Sequence, residues 1–332
     1  MEVDPTEGSL LIWAVSDGRA GMENQALGLA EAVQRLTSAH VVVKRIRWRP
    51  FFDKWPSALK RPWMLDPSSD AVEPAPGERE PDLWIATGRA TLPLSIARKR
   101  RPGPRPFVVQ TQDPRLPPRL FDLVVAPMHD ALEGDAVFEI TGSPHRITPA
   151  RLAEAAPAFE DRIAPLPRPR VAVMIGGRSK AFDLPVEDAR ALGERIAHAV
   201  AAVGGSVLLS FSRRTPEAAK AALTAALATT PGWIWDGEGD NPLFAFLDGA
   251  DHILVTEDSA NMVVEAASTG KPVHILPMRR IGRAAKFDRL QDDLIQRGAA
   301  RPFDGRLSHW SYEPLAETER AARAVLEAMA VR

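Results

Sequence analysis

Two segments of this chain, one in each half, share an order that restricts the fold to a few architectures. An apolar run at residues 10–15 leads through a glycine-containing turn into a helical pattern at 24–36. The second half repeats this order, with an apolar run at 171–175, a Gly-Gly turn and a helical pattern at 186–203. A buried strand that enters a helix through a glycine turn is how a nucleotide-binding α/β unit begins. The sequence therefore predicts two such units.

Further apolar runs extend both units. The additional strand candidates are 41–46, 83–86, 107–110 and 123–126 in the first half, and 207–211, 233–235, 252–255 and 273–276 in the second. Helical patterns separate most of them, which favours parallel strands joined by right-handed crossovers. We therefore predict an α/β fold of two parallel-sheet domains facing a central cleft, with ligands beyond the carboxyl ends of the strands.

Proline content predicts the domain boundary. The segment 157–170 holds four prolines and shows no hydrophobic period, which is typical of a linker. We expect an N-terminal domain at 1–156 and a C-terminal domain at 171–312. The last segment, 313–332, is an amphipathic helix, and packing back on the N-terminal domain is one arrangement open to it.

Composition excludes several classes of protein. The formal net charge of −1 gives no global reason to expect a nucleic-acid partner, and the lack of cysteine excludes disulfides and thiol nucleophiles. The chain starts with acidic residues where a signal peptide is basic, and no apolar run approaches the ~20 residues of a membrane-spanning helix. We expect a cytoplasmic protein, either soluble or peripheral on the inner face of the cytoplasmic membrane.

The segment 253–278 has the pattern of a buried strand, a polar turn, a short helix, a glycine stop and a second strand. Asp258 and Ser259 are both good N-cap residues, and a helix N-terminus at the end of a strand can bind an anion. Glu265 lies one to two turns further along, where its carboxylate can accept hydrogen bonds from the vicinal hydroxyls of a sugar. The alternative is an ordinary exposed glutamate on a helix.

The second glycine turn is a candidate phosphate site. Gly176 and Gly177 let backbone N–H groups approach a diphosphate closely, and the side chains of Arg178, Ser179 and Lys180 add hydrogen-bond donors and positive charge. A Gly-Gly pair after a strand also fits a plain turn, so the phosphate role depends on the segment that contains Glu265.

Several segments resemble known families. Residues 175–179 and 258–273 resemble the glycine turn and nucleotide motif in the donor domain of GT-B glycosyltransferases, over most of residues 170–312. A closer resemblance, over nearly the whole chain, is to the plant mitochondrial-fission (elongated mitochondria) family and its bacterial relatives. It rests on segments 16–25, 110–115, 210–215 and 256–262. Plant members are associated with fission, whereas the Ala/Arg/Pro-rich composition here is typical of a bacterial member, for which we do not expect that role.

The resemblance implies a GT-B-like fold of two Rossmann-like domains and assigns a nucleotide-sugar site to the second domain. Glu265 would hold the ribose. The other donor contacts, besides the glycine turn, would be Ser210, Arg213, Asp258, Ser259, Asn261 and Met262. Arg213 and Arg214 would close over the phosphates, unless they only begin a solvated helix. The donor would be of the uridine or cytidine type, and no separate cofactor is expected.

Candidate catalytic residues lie in the first half. An inverting GT-B transferase needs a base for the acceptor hydroxyl, and Asp17 follows the first strand, with Glu23 and His129 as rivals. Some lipid-linked-sugar transferases place a histidine where Met22 stands, so their mechanism does not transfer. Asp17 can alternatively be a helix N-cap. The histidines show no metal-ligand spacing, and we predict no metal.

Basic and aromatic residues alternate between positions 44 and 63. Such a mixture suits the headgroup region of an anionic membrane, and no RNA-binding motif accompanies it. The predicted contact residues are Arg47, Trp48, Phe51, Phe52, Trp55 and Trp63. In the alternative interpretation the tryptophans pack inward and the charges solvate a loop.

These observations favour a GT-B-type glycosyltransferase that moves a sugar from a nucleotide-sugar to an acceptor, for instance a lipid-linked intermediate of the bacterial envelope. Two alternatives remain open. One is a non-catalytic, membrane-associated scaffold of the fission-protein family, and the other is a nucleotide-sugar epimerase on the same architecture. Dinucleotide oxidoreduction is disfavoured, since neither glycine turn reads Gly-x-Gly-x-x-Gly.

Overall fold

A computed structural model describes residues 8–56 and 59–332 of the chain. The chain forms two compact units. The first comprises Met1–Arg146 together with Ala316–Arg332, and the second comprises Ile147–Leu315. Each unit is built on one six-stranded sheet.

The strands are, in chain order, β1 (Leu10–Ser16), β2 (Ala39–Arg45), β3 (Leu83–Thr87), β4 (Phe107–Thr111), β5 (Leu123–Pro127), β6 (Val137–Ile140), β7 (Arg170–Ile175), β8 (Phe182–Asp183), β9 (Ser206–Phe211), β10 (Gly232–Ile234), β11 (His252–Thr256), β12 (Val273–Leu276), β13 (Arg279–Arg280) and β14 (Ala300–Pro302). The helices are α1 (Ala20–Leu36), α2 (Pro50–Asp53), α3 (Leu92–Lys99), α4 (Pro149–Ala155), α5 (Glu160–Ile163), α6 (Val186–Ala201), α7 (Glu217–Ala226), α8 (Leu243–Gly249), α9 (Ala260–Ala267), α10 (Ala285–Gln296) and α11 (Glu317–Ala330). Short 3-10 turns cover Pro62–Met64, Pro118–Leu120, Met128–Asp130 and Ala156–Phe159.

Both large sheets are parallel. The first has the strand order β2-β1-β3-β4-β5-β6, and the second has the order β10-β9-β7-β11-β12-β14. In the second sheet the order reverses between β7 and β11, so the chain leaves these two neighbouring strands in opposite directions. Such a reversal opens a crevice at the carboxyl edge of a sheet, which is the usual ligand position in this class of fold.

The apolar runs of the sequence correspond to these strands, and the predicted α/β class with two parallel sheets is confirmed. Strands β6 and β14 and the short antiparallel pair β8–β13 were not predicted. They are two to four residues long, and β13 consists of two exposed arginines, so no apolar run marks them.

The proline-rich segment is more structured than the predicted linker at 157–170. Helical turns continue from α4 through Ala156–Phe159 into α5, and Leu152 and Ile163 are buried in the core of the second unit. Pro149 and Pro157 stand in the first turns of helical segments, where a missing N–H costs no hydrogen bond. The two units divide at Arg146 rather than in this segment.

The C-terminal helix α11 lies in the first unit. Its residues Ala321, Ala322 and Val325 belong to the core cluster that contains buried residues of α1. The carboxylate of Glu317 accepts a hydrogen bond from the backbone N–H of Thr141 at 2.9 Å, which satisfies a buried donor at the end of β6. Helix α11 is therefore part of the fold of the first unit. Within residues 8–56 and 59–332, no helix is both long and apolar enough to cross a membrane.

Candidate functional site at the carboxyl edge of the second sheet

The glycine turn after β7 is held against the end of β11 by hydrogen bonds. The N–H of Gly176 donates to Thr256 Oγ1 at 2.7 Å, and the N–H of Gly177 donates to Asp258 Oδ2 at 3.1 Å. A Cβ at Gly176 would lie 1.9 Å from Asp258 Oδ1, and one at Gly177 would lie 2.1 Å from the carbonyl oxygen of Arg214. Both positions therefore require glycine for steric reasons.

The carboxylate of Asp258 is fully buried and serves this turn. Besides the N–H of Gly177, it accepts a hydrogen bond from Thr256 Oγ1 at 2.7 Å and pairs with Arg214 Nη2 at 2.7 Å. A carboxylate with three internal donors has little capacity left for a ligand. The structure thus gives the Asp258 side chain a positioning role, which differs from the direct donor contact expected from the sequence.

Two residues outside the predicted set, Thr256 and Thr215, complete the hydrogen bonds that hold the glycine turn in place. Thr256 links the two strand ends through its hydroxyl, and Thr215 donates a hydrogen bond from Oγ1 to the carbonyl oxygen of Gly176 at 2.6 Å. Both lie in motifs that resemble the fission-protein family, which is the one sequence signal that marks them. The contacts themselves join residues about 40 and 80 positions apart in the chain and leave no local pattern.

Three cations near this edge are exposed. Arg178 and Lys180 follow the glycine turn, and Arg213 follows β9. None of the three forms an ion pair with another residue in the part of the chain that the structure describes, whereas Arg214 is paired with Asp258. Unpaired cations at the end of a strand are suited to phosphate. Ser179 instead closes its own loop, since its Oγ accepts hydrogen bonds from the N–H groups of Ala181 and Phe182.

Helix α9 begins at the end of β11 and points its N-terminus at the same edge. Ser259 is its N-cap, with Oγ accepting from the N–H of Met262 at 3.4 Å. Asn261 and Met262 are half-buried in the first turn, and the Met262 side chain packs against the apolar core below. The positive end of the helix dipole adds to the charge of the three cations.

Glu265 is an acidic residue on α9 whose carboxylate has no partner in the described part of the chain. The residues around it, Val263, Val264, Ala266 and Ala267, are buried, while Glu265 keeps a partly exposed surface. Burial raises the pKa of the Glu265 carboxyl to about 7. No hydrogen bond or ion pair to this carboxylate is present among residues 8–56 and 59–332. A recessed acid without an internal donor remains available to the hydroxyls of a ligand.

A second buried carboxylate fixes the loop after β12. Glu257 Oε1 accepts from the N–H of Met278 at 2.8 Å, and Oε2 accepts from Arg280 Nη2 at 2.9 Å. Gly282 lies close to the loop that follows the glycine turn. A Cβ at Gly282 would be 2.3 Å from the carbonyl oxygen of Lys180 in that loop. The loop around Arg280 thus lies beside the loop that follows the glycine turn, a contact that no sequence pattern predicts.

The predicted donor residues lie at or beside the carboxyl ends of the adjacent strands β9, β7 and β11. They are Gly176, Gly177, Arg178, Ser179, Lys180, Ser210, Arg213, Asp258, Ser259, Asn261, Met262 and Glu265. Ser210 is half-buried within β9, opposite Met174. No cluster of three or more His, Asp or Glu side chains in the described ranges has an arrangement that could hold a metal ion.

Of the three rival catalytic candidates in the first unit, Asp17 and Glu23 lie near the start of α1, and His129 follows a strand three positions away in the sheet. Asp17 accepts hydrogen bonds from Arg19 N and Nε at 3.2 and 2.8 Å, and Glu23 forms a bidentate pair with Arg45 at 2.6 and 2.9 Å. His129 is buried in the turn after β5. Strands β1 and β5 are three positions apart in the sheet, or about 14 Å. Asp17 and His129 therefore do not converge on one reacting atom within this unit.

The helix α1 has Arg19 as its N-cap, without a side-chain capping bond. The alternative in which Asp17 caps this helix is thus not adopted. Its carboxylate instead closes a local turn on Arg19.

The basic and aromatic segment is only partly exposed. Trp48 is 4% exposed, and its indole N–H donates to the carbonyl oxygen of Ala90 at 2.9 Å, so the prediction of a membrane contact for Trp48 was wrong. Phe51 and Trp63 are 75% and 63% exposed. Phe52 packs between Phe51, Trp55 and Trp63, with ring centroids 5.1–5.4 Å apart. Arg47 is exposed beside them in sequence.

The two parallel sheets and the site at the carboxyl edge of the second define an α/β protein of the GT-B-like class. The chain belongs to the mitochondrial fission ELM1 family, whose sequence model matches residues 20–329.

Two relatives and two solved structures are similar to this chain. Mitochondrial fission protein ELM1 of Arabidopsis thaliana is 33% identical over 279 residues, which cover 76% of this chain and 65% of the plant protein. The chain thus spans slightly less than two thirds of the plant protein. An uncharacterized protein of Rickettsia prowazekii (strain Madrid E) is 25% identical over 358 aligned positions, covering 96% of this chain and 99% of that protein.

Among solved structures, the UDP-GlcNAc 2-epimerase from Methanocaldococcus jannaschii superposes with a TM-score of 0.55 at 13% identity, over 96% of this chain and 100% of that one. The UDP-GlcNAc 2-epimerase from Neisseria meningitidis, bound to UDP-GlcNAc, has a TM-score of 0.50 at 13% identity, over 97% and 100% of the two chains. At such identities the likeness concerns the fold alone.

Proposed function

We propose that the second unit binds a nucleotide-sugar and that the protein transfers the sugar to an acceptor, as a GT-B-type glycosyltransferase. The observation that carries the proposal is the carboxylate of Glu265, which is recessed and has no internal donor among the described residues. It lies on the helix that begins beside the braced glycine turn. Two hydroxyls of a ribose would supply the donors that this carboxylate lacks.

The diphosphate would lie between the glycine turn and the N-terminus of α9. The N–H groups of Gly176 and Gly177 already donate within the protein, so the first N–H groups of α9 would bind the diphosphate. The unpaired cations Arg178, Lys180 and Arg213 would add positive charge. When the sugar leaves, negative charge grows on the diphosphate, and fixed dipoles and cations stabilise that charge without a metal ion. A uridine nucleotide is our first choice of donor, since the fold is shared with an enzyme solved with UDP-GlcNAc.

Two alternatives have an observation in their favour. An epimerase that acts on the nucleotide-sugar itself is favoured by the fold of the 2-epimerases. It predicts interconversion of the donor sugar without an acceptor, which NMR of the sugar would detect. A non-catalytic scaffold is favoured by the ion pairs of Asp17 and Glu23, which leave neither carboxylate free to act as a base in this structure. It predicts nucleotide binding without turnover.

Ligand-induced stabilisation tests the proposal. We would record melting temperatures of the wild type, Glu265→Gln and Glu194→Gln with uridine and cytidine diphosphates, their monophosphates, nucleotide-sugars and NAD. Glu194 is an exposed acid on α6, so its variant is the matched control. A ligand at 100 times its Kd stabilises the fold by about 2.7 kcal/mol, which is easily measured.

We expect stabilisation by one nucleotide class in the wild type and in the control, with loss in Glu265→Gln. Stabilisation that survives in Glu265→Gln would contradict the ribose role, and no stabilisation by any compound would contradict the donor site as a whole.

We also propose that the first unit contacts the inner face of the cytoplasmic membrane, where a lipid-linked acceptor would be found. The exposed rings of Phe51 and Trp63 would enter the headgroup layer, and Arg47 would pair with lipid phosphate. Sedimentation with phosphatidylglycerol vesicles should decrease in a Phe51→Ser/Trp63→Ser variant but not in Val331→Ser, which changes an even more exposed apolar residue on the C-terminal tail. Equal sedimentation of all three proteins would remove this surface from the proposal.

A further inference from the structure

The first unit contains a groove of about 320 Å³ that the proposed donor site does not use. Its walls are apolar. The apolar part of the lining comes from α3, through Pro93, Ile96 and Ala97, and from Leu116 and Leu120 in the segment after β4. The volume is at the lower end of the range of about 300–1,000 Å³ that is usual for small-molecule sites. It is sufficient for one narrow apolar ligand.

Three of the four other lining residues are positively charged, and the fourth is Pro62. Lys60, Arg61 and Arg100 line the groove, and none of the described residues that line it is acidic. The ammonium of Lys60 donates to the carbonyl oxygen of Asp53 at 2.8 Å and lies 4.9 Å from the ring centroid of Trp48, so it is fixed in place. Arg100 is exposed and has no ion pair within residues 8–56 and 59–332.

The groove adjoins an exposed apolar surface. Leu59 and Trp63, 53% and 63% exposed, flank the lining segment at Lys60 and Arg61 along the chain. An apolar wall with cations and exposed apolar side chains beside it matches a ligand that carries an apolar chain and an anionic head.

We propose that this groove binds one molecule of an anionic lipid. The chain lies between Ile96 and the two leucines, and the phosphate of the headgroup is held by the guanidinium of Arg100. An uncharged chain would leave the guanidinium of Arg100 without a counter-ion, and free phosphate would leave the apolar walls exposed. The proposal goes beyond nucleotide binding and does not depend on it, since every residue in it belongs to the first unit.

Calorimetry with decyl phosphate below its micellar concentration tests this site on the full-length protein. The comparison ligands are inorganic phosphate and 1-decanol, which isolate the head and the chain. Arg100→Gln removes the charge, and Ala97→Phe places a ring in the groove from an exposed position on α3, so both variants should fold. Arg190→Gln, which removes an exposed arginine from α6, is the matched control.

We expect decyl phosphate to bind the wild type and Arg190→Gln equally, and to bind each groove variant about tenfold more weakly or worse. Nucleotide binding should be the same in all four proteins, which separates failure of this site from failure of the donor site. The proposal is overturned if decyl phosphate does not bind, if Ala97→Phe binds it as tightly as the wild type, or if inorganic phosphate binds equally well.

Discussion

Three carboxylates after β11 differ in the number of internal groups that donate to them. We assign a different role to each from this number. Asp258 has three internal donors and fixes the glycine turn, and Glu257 has two and fixes the loop at Met278. Glu265 has none among the described residues. All three lie within nine positions of the chain, so residue type and spacing do not distinguish the two structural acids from the acid that we propose for a ligand.

The raised pKa of Glu265 predicts a pH-dependent stability. The carboxyl has a pKa of about 7 in the fold against 4.5 ordinarily, so the folded state binds the proton more tightly between these values. The stability that the neutral carboxyl contributes is therefore complete below about pH 4.5 and is lost as the pH rises to about 7. Glu265→Gln should leave the free energy of unfolding unchanged near pH 4.5 and increase it by about 1–3 kcal/mol at pH 8, a range discounted for partial exposure.

Urea unfolding at both pH values measures this difference, with Glu194→Gln as the exposed control. A Glu265→Gln variant less stable than the wild type at pH 8 would mean that the carboxylate has an internal donor after all.

A pair of glycine substitutions tests the turn. In Gly177→Ala the new Cβ would meet the backbone of Arg214 at 2.1 Å, and backbone cannot move aside as a flexible side chain can. We expect a loss of about 2–4 kcal/mol in unfolding free energy and loss of nucleotide binding. Gly21→Ala, with no atom within 4 Å of its Cβ in the first turns of α1, should be neutral or stabilise by up to about 1 kcal/mol. Urea unfolding of both variants measures these changes. A Gly177→Ala variant as stable as Gly21→Ala would mean that the turn relaxes around the new Cβ, which contradicts the steric argument.

At the scale of elements, a strand or helix can be predicted from the sequence where its burial leaves a pattern of apolar residues. Strands such as β7 and β11 are buried on both faces and therefore appear as apolar runs. The edge strands β6 and β14 are short and partly exposed, so they leave little pattern. The linker prediction at 157–170 treats proline as a helix breaker, whereas Pro157 stands in the first turn of a helical segment. The candidate site is predicted from the motif around Glu265, whose helix α9 starts with Ser259 as its N-cap.

Contacts between side chains that are far apart in the sequence leave no such pattern in it. The pairing of Glu23 with Arg45 and of Asp258 with Arg214 joins separate elements, and each pairing changes what the carboxylate can do. Trp48 and Trp63 occur in the same basic context, yet one is buried against Ala90 and the other is exposed. Trp48 lies in an isolated β-bridge and Trp63 in a three-residue 3-10 turn, and neither is long enough to show a hydrophobic period.

Helix α11 should be necessary for the first unit. Ending the chain after Leu315 would remove Ala321, Ala322 and Val325 from the core and leave the N–H of Thr141 without its acceptor. Buried residues of α1 would be exposed, at a cost of several kcal/mol. Hydrogen exchange should accelerate in α1 and β6 and stay unchanged in β7 and β11. Removal of residues 331–332 alone is the control, and unchanged exchange in α1 after the long truncation would contradict this role.

At the scale of the whole molecule, the two units differ in how the chain builds them. The first is assembled from both ends of the sequence, whereas the second is one continuous segment, Ile147–Leu315. Three of the apolar clusters consist only of residues from this segment. The proposed donor residues also lie in it, and the proposed lipid groove lies in the first unit. The two proposed ligands thus have structurally separate sites.

The continuous unit should therefore fold and bind its ligand alone. We expect residues 147–315 to give a cooperative thermal transition, because their own cores remain intact and a compact unit of this size is within the usual range for an independent domain. Its Kd for the nucleotide identified with the full-length protein should agree within about threefold, since the glycine turn, Arg213 and Glu265 are all retained. Calorimetry on the fragment and on the full chain makes the comparison, with Glu265→Gln in the fragment as the non-binding control. A folded fragment that binds more than about tenfold more weakly would assign part of the donor site to the first unit, and a fragment without a cooperative transition would show that the second unit depends on the first.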